Sequence, residues 1–276
     1  MRRLPGANSP KRWFDFQKVG KVDDLETVNL LGVRVYTLSV VSLVDFVTRT
    51  ILAGGKVRAV YVNIYAINLA QELAWFRDFF NSSDVVYCDG FGVKWGARLL
   101  GLRIPYRNTP PDWITLLTAE CARQRFSLYL LGAHPGVAEK VAVILKQQYP
   151  DLRIAGTHHG YFNKSPDSVE NEAVLQAINA TSPDILLVGL GMPLQERWLM
   201  ENWDLLEVKV ALPVGALFDY LAGEFPRAPH WMTDHGLEWL GRLIVEPRRL
   251  WRRYLLGNPH FLWMVLKQRL GLLRVE

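Results

Sequence analysis

Short apolar runs alternate with stretches of helical periodicity along most of the chain. The runs fall at 57–62, 84–87, 127–131, 152–155, 184–188 and 208–214. Between them, apolar residues recur every three or four positions over 66–80, 91–100, 113–125, 136–148, 168–180 and 194–201. A strand that is apolar throughout is covered on both faces, and amphipathic helices are the usual cover. The alternation therefore predicts an α/β fold with a mostly parallel, Rossmann-like sheet and helices on both faces. Upstream, Val28–Thr37 is β-rich around Gly32 and leads into a helical segment, Ser39–Leu52, that ends at Gly54-Gly55. Residues 1–23 are polar and broken by Pro5, Gly6 and Pro10, which predicts a flexible arm. The main α/β unit is expected over 24–235, followed by a helical, basic appendage over 236–276.

In such sheets a ligand lies beyond the carboxyl ends of the strands. The residues that follow the runs are Asn63, Asp89-Gly90, Gly132, His158-His159-Gly160, Gly189-Leu190-Gly191 and Gly215, mostly small or polar. Asp89 stands at a strand-to-helix turn. A carboxylate there either takes a proton from an attacking hydroxyl or caps the helix that starts near Phe91. Gly189 and Gly191 let backbone approach a diphosphate at a helix N-terminus, but Leu194 occupies the third glycine position of the dinucleotide pattern. Gln195 is either a substrate contact or a first-turn helix residue. Arg107 suits a phosphate or sugar contact, and Asp112 is a substrate contact or the cap of the helix at Trp113.

Charge changes the picture once it is divided along the chain. From Arg242 onward eight Lys/Arg stand against two acidic residues, while the rest of the chain is nearly neutral. Trp239, Trp251 and Trp263 are interleaved with these arginines, as expected of an anionic membrane contact or a diphosphate clamp. Cys88 and Cys121 are too few for a disulfide framework and suit a reducing compartment. The basic N-terminus is not followed by the apolar core of a secretory signal, and no uncharged apolar run reaches the length of a membrane span. The adjacent pair His158-His159 is poor metal-ligand spacing, so no metal and no cofactor are expected.

Together these segments resemble the WecG/TagA/CpsF family of bacterial glycosyltransferases (glycosyltransferase family 26). The resemblance runs from about Val28 to Phe261. It rests on Asn63, Asp89-Gly90 with Gly92-Val93, Leu130-Leu131-Gly132, Gly156–Phe162 and Gly189–Glu196. Its most specific parts are Asp219–Gly223 with Arg227-Ala228-Pro229, and Leu237-Glu238-Trp239 running to Arg253-Tyr254.

The resemblance implies a metal-independent, inverting transfer from a UDP-sugar to a polyprenyl-diphosphate-linked saccharide in cell-surface polysaccharide synthesis, teichoic acid and exopolysaccharide among them. The sugar would be of the N-acetylmannosamine type, glucose or a uronic acid. It implies Asp89 as general base. Asn63, Arg107, Asp112 and Gln195, with the glycines Gly132, Gly189, Gly191 and Gly215, would form the substrate pocket, and Asp219 would contact the nucleotide. Arg242, Arg249 and Arg252 would hold the lipid diphosphate. It further implies a cytoplasmic enzyme, peripheral on the inner face of the membrane, that self-associates and has no nucleic-acid partner. Pro110-Pro111-Asp112 replaces the Gly-Ser-Asp type of turn found in many members, which leaves the donor sugar open. The competing class is an NAD(P)-dependent nucleotide-sugar oxidoreductase or epimerase, and a second is a nucleic-acid binder working through the basic tail.

Overall fold

The computed structural model describes residues 26–226 and 228–273. The expected arm at 1–23 lies outside the described residues, as do Arg227 and Arg274. The chain opens with an antiparallel hairpin, β1 (Thr27–Leu30) and β2 (Val33–Tyr36), turned at Leu31-Gly32, where both residues have positive φ. Helix α1 (Val40–Leu52) follows, capped by the Ser39 hydroxyl. The parallel strands are β3 (Val57–Val62), β4 (Val85–Cys88), β5 (Ser127–Gly132), β6 (Arg153–His158), β7 (Ile185–Gly189) and β8 (Val210–Pro213). The eight strands form one sheet in the order β1-β2-β4-β3-β8-β7-β5-β6, parallel everywhere except at the hairpin.

Strand residues alternate between two cores. Val86, Cys88, Leu186 and Val188 pack on one face, and Val85, Tyr87, Ile185 and Leu187 on the other, all buried. This two-sided burial is why the strands read as unbroken apolar runs. The first face is covered by α2 (Ile64–Glu72), α3 (Ala74–Asn81), α4 (Phe91–Leu99), α7 (Val169–Asn179) and α8 (Leu194–Asn202). The second is covered by α1, α5 (Pro110–Gln124), α6 (Val137–Gln148) and α9 (Leu217–Ala222).

Two elements differ from expectation. The single helix read over 66–80 is two, because Leu73 is extended (φ −121°, ψ 103°) and lets each half bury its own apolar set, Ala66, Ile67 and Ala70 in one and Phe76, Phe79 and Phe80 in the other. Helix α5 starts at Pro110 rather than Trp113. Thr109 and Asp112 form a reciprocal capping box, and the prolines occupy the first turn, where a missing N–H is harmless.

Beyond the sheet the chain forms α10 (His230–Asp234), α11 (Glu238–Val245), α12 (Pro247–Trp251), one wide turn over Arg252–Leu256, and α13 (Gly257–Arg269). In the wide turn the Gly257 amide bonds to the Arg252 carbonyl, five residues back. Helix α13 returns to the body. Phe261 and Val265 are fully buried in the first core, and Asn68 Nδ2 donates to the Gly257 carbonyl at 2.8 Å. A Cβ on Gly96 would lie 2.3 Å from the Phe261 ring, so α4 needs a glycine where α13 crosses it. No described helix is long and apolar enough to cross a membrane.

Candidate active site

A cavity of about 1660 Å³ opens over the carboxyl ends of β3, β4, β5, β7 and β8, and the C-terminal segment forms its opposite wall. Of the residues singled out by sequence, Asn63, Asp89, Arg107, Gly189, Gly191, Gly215, Asp219, Arg242, Arg249 and Arg252 all line it. Gly132, Asp112 and Gln195 do not, and each has a structural reason to be elsewhere.

Asp89 is placed by the end of the ladder: its amide donates to the Val62 carbonyl at 2.8 Å, continuing the β3–β4 pairing by one residue. The helix-cap alternative does not hold. Gly90 is the residue before α4, with φ +103°, and no side chain caps that helix. The Asp89 carboxylate instead lies 3.4 Å from Asn63 Nδ2, while Asn63 Oδ1 caps α2 through the Ala66 amide at 3.0 Å. One asparagine thus starts a helix and steadies the acid. Burial, then the Glu238 carboxylate, pushes Asp89 up to about 7, against a smaller pull down from the Asn63 hydrogen bond and the Arg253 guanidinium. A carboxyl that titrates near neutrality suits proton transfer at cellular pH.

Gln195 lies beneath the floor, fully buried. Its Nε2 donates to Tyr61 Oη at 3.2 Å and to Glu196 Oε1 at 2.8 Å, and its Oε1 accepts from the Gly215 amide at 3.1 Å. It therefore fixes the floor rather than touching what occupies the cavity. Glu196 is likewise buried, with Oε2 unpartnered, and burial pushes it up to about 7. Gly132 serves packing: at φ +145° a Cβ would fall 2.4 Å from the Gly189 carbonyl oxygen, so only glycine allows β5 and β7 to end side by side. Gly215 is tight as well, since a Cβ would meet Tyr61 Oη at 2.8 Å.

Asp112 caps α5 and pairs with Arg107 Nη2 at 3.0 Å. Arg107 borders the cavity, yet its Nη1 donates to the Thr233 carbonyl at 3.0 Å and stands 3.5 Å from Glu238. Both terminal nitrogens are thus engaged by protein.

At the far end, Asp219 lies in the first turn of α9, raised by burial and held back by His134 and Arg249. Beside it, at the tips of β5 and β6, the exposed rings of His134 and Tyr161 stack with centroids 4.3 Å apart and share a 2.8 Å hydrogen bond. The C-terminal wall carries the guanidinium groups. Arg242 lies over the Tyr220 ring at 5.8 Å, and Arg249 pairs with Glu246 at 2.6 Å. Arg252 is exposed beside Trp251.

Arg253, which the sequence marked only as part of the segment ending at Arg253-Tyr254 and without a role in the site, is half-buried, 4.5 Å from the Tyr65 ring centroid, with Nε unpartnered. Its charge acts on Asp89, Glu196 and Tyr61. The wide turn brings it inward. Tyr61 and Glu238 were also missed as site residues, although Glu238 belongs to a segment that sequence reading had marked. Among the described residues no ion pair joins Arg242, Arg252 or Arg253 to a carboxylate.

Comparison with known proteins identifies the family. The sequence profile of the Glycosyl transferase WecG/TagA/CpsF family matches residues 28–275. An N-acetylglucosaminyldiphosphoundecaprenol N-acetyl-beta-D-mannosaminyltransferase of Bacillus subtilis (strain 168) is 32% identical over 195 residues, covering 70% of this chain and 73% of the relative. The protein of the same name from Staphylococcus aureus (strain MRSA252) is 27% identical over 249 residues, covering 88% and 93%. These matches displace the oxidoreductase and nucleic-acid-binder alternatives: the chain belongs to the WecG/TagA/CpsF family and is a glycosyltransferase.

Proposed function

We propose that the protein transfers an N-acetylmannosamine-type sugar from a UDP-sugar to a saccharide linked to a polyprenyl diphosphate, with inversion and without a metal ion. The observation that carries this reading is the facing of Asp89 and a row of arginines across one cavity. The sugar and the lipid-linked acceptor follow the relatives' names.

The donor is assigned to the side of the cavity formed by Gly189, Gly191, Gly215, Asp219 and the His134–Tyr161 stack. There, backbone at strand tips lies open to a diphosphate and a flat aromatic surface to a base. The acceptor is assigned to the opposite wall, with Arg242, Arg249, Arg252 and also Arg253 around its diphosphate. Asp89 takes the proton of the acceptor hydroxyl while that oxygen bonds to the anomeric carbon. The bond from that carbon to the phosphate oxygen breaks, and its electrons leave on UDP. Amide groups and guanidiniums meet the charge that develops on the leaving group. Inversion gives a β-linked product from an α-linked donor, consistent with the relatives' names.

On this reading 24–235 holds donor and base, and the arginine-bearing stretch of 236–276 that precedes α13 receives the acceptor. Around the mouth Trp251, Leu255, Leu256, Leu262 and Trp263 are exposed, apolar surface beside arginines, which suits a peripheral position on the anionic inner face of the membrane. The test is thermal-shift screening against UDP-sugars, then transfer to a short-chain prenyl-diphosphate N-acetylglucosamine with and without chelator. Stabilisation by UDP-sugar and chelator-resistant transfer are expected. Loss of transfer on chelation overturns metal independence, and no transfer from any UDP-sugar overturns the reading.

A further inference from the structure

Arg107 has the chemistry of a phosphate ligand and the surroundings of a joint. Its Nη2 is held by Asp112 of the core at 3.0 Å. Its Nη1 reaches two points of the C-terminal segment, the Thr233 carbonyl of α10 at 3.0 Å and Glu238, the first residue of α11, at 3.5 Å. The Phe91 ring lies 5.2 Å from the guanidinium carbon. Gly236, with φ +77° between α10 and α11, rests so closely on Phe91 that a Cβ would come within 2.9 Å of Phe91 Cβ. Core and segment therefore fit closely together around Arg107. One turn beyond Glu238, the same helix carries Arg242.

We propose that Arg107 is a positioning residue: paired with Glu238, it latches the C-terminal segment to the core, so that the arginines of that segment and Asp89 face one cavity only while the latch is closed. The inference rests on the functional reading above for what the closed cavity does, not for the latch itself.

The closed latch also brings a second carboxylate to the base. Among the charged and titratable groups that act on Asp89 or stand next to it, Glu238 (α11) and Asp112 (α5) disfavour its ionisation. Arg253, from the wide turn, favours it, and Arg242 (α11) is a further cation whose charge it feels. Tyr61, Tyr87 and Cys88 stand close on β3 and β4 and are neutral in the physiological range. Of the charges, Glu238 acts most strongly. Opening the latch withdraws it, and Asp89 becomes more acidic.

The experiment uses the full chain with Arg107→Gln, Glu238→Gln and the double variant. Hydrogen exchange over 230–256, UDP binding, and the pH profile of kcat/KM are measured. Both single variants are expected to exchange faster over 230–256, to bind UDP within about twofold of wild type, and to lose about tenfold in kcat/KM. The double variant is expected to be no worse than either single one, because partners in one contact are not additive. The Glu238→Gln profile should have its acid limb displaced to lower pH, which a merely structural loss would not produce. Unchanged exchange over 230–256 in both single variants overturns the latch. So do multiplying effects in the double variant, or a selective loss of UDP affinity in Arg107→Gln. If the wild type transferred nothing, the functional reading would fall while the exchange data still decided the latch.

Discussion

Replacing Asp89 by Asn separates the proposed catalytic role of the carboxylate from its effect on the fold. The native carboxyl titrates near 7, against 3.8 for an ordinary aspartate. A raised acid leaves the folded state short of an ionisation that the unfolded chain makes freely. The resulting destabilisation is absent below pH ~4, grows as pH rises to about 7, and is constant above that. At ~1.4 kcal/mol per pH unit the displacement sets an upper bound of ~4 kcal/mol. Because Asp89 lines a water-accessible cavity, roughly 1–2 kcal/mol is the working figure. Asparagine keeps the shape and removes the charge, so Asp89→Asn should melt a few degrees above wild type at pH 8 and level with it near pH 4. Thermal unfolding from pH 4 to 8 reads the first effect. Transfer to a prenyl-diphosphate acceptor reads the second, with a loss of about 10²–10⁴-fold expected for a general base. A variant that is no more stable at pH 8 would falsify the burial argument, and near-normal turnover would remove Asp89 from the chemistry.

Other substitutions test neighbouring parts of the scheme. Glu196→Gln removes a buried acid that also titrates near 7, so it should stabilise the protein at pH 8 and have little effect below pH 4.5, measured by denaturant titration at the two pH values. Gly132→Ala forces a Cβ against the Gly189 carbonyl at a φ that L-residues avoid, and should cost about 3 kcal/mol or more in unfolding free energy. Phe261→Ala, deep in the first core, should cost about 3–5 kcal/mol by the same measurement, which marks α13 as part of the body. Arg253→Gln should raise KM for the lipid-linked acceptor about tenfold with donor affinity unchanged, and an unchanged acceptor KM removes it from the diphosphate site.

The sheet was legible because its central strands β4, β5, β7 and β8 are buried on both faces and carry the unbroken apolar signature that such burial requires. So was the cavity's position, since Asn63, Asp89, Gly189 and Gly215 all stand at or just beyond strand ends and line it. The break at Leu73 was not, because leucine is a good helix former and only the separate burial of two aromatic and aliphatic faces ends the helix there. Nor were the contacts of Arg107, whose partner Thr233 is 126 positions away. The segment running to Arg253-Tyr254 was marked, but helical spacing does not say which of Arg252 and Arg253 turns inward. The five-residue bond at Arg252–Gly257 shifts the register, and that bond has no composition of its own to announce it. Gln195 stayed open between substrate contact and first-turn helix residue for a related reason: a polar side chain at a strand-to-helix turn looks the same whether it points into a cleft or is spent tying that cleft's floor together.

The docking of α13 changes what sort of object the arginine-bearing stretch is. Anchored on one side to the end of β8 and α9, and on the other to Phe261 and Val265, residues 228–256 form a bridge with two abutments rather than a free tail. A bridge that lifts cannot drift away. Its cations stay at high effective concentration over the strand tips in every opened state, and reclosure carries a small entropic penalty because the loop is short and already tethered at both ends. On the proposed reading, exchange of a bulky lipid-linked acceptor would require only slack in that span, with the body of the enzyme folded throughout.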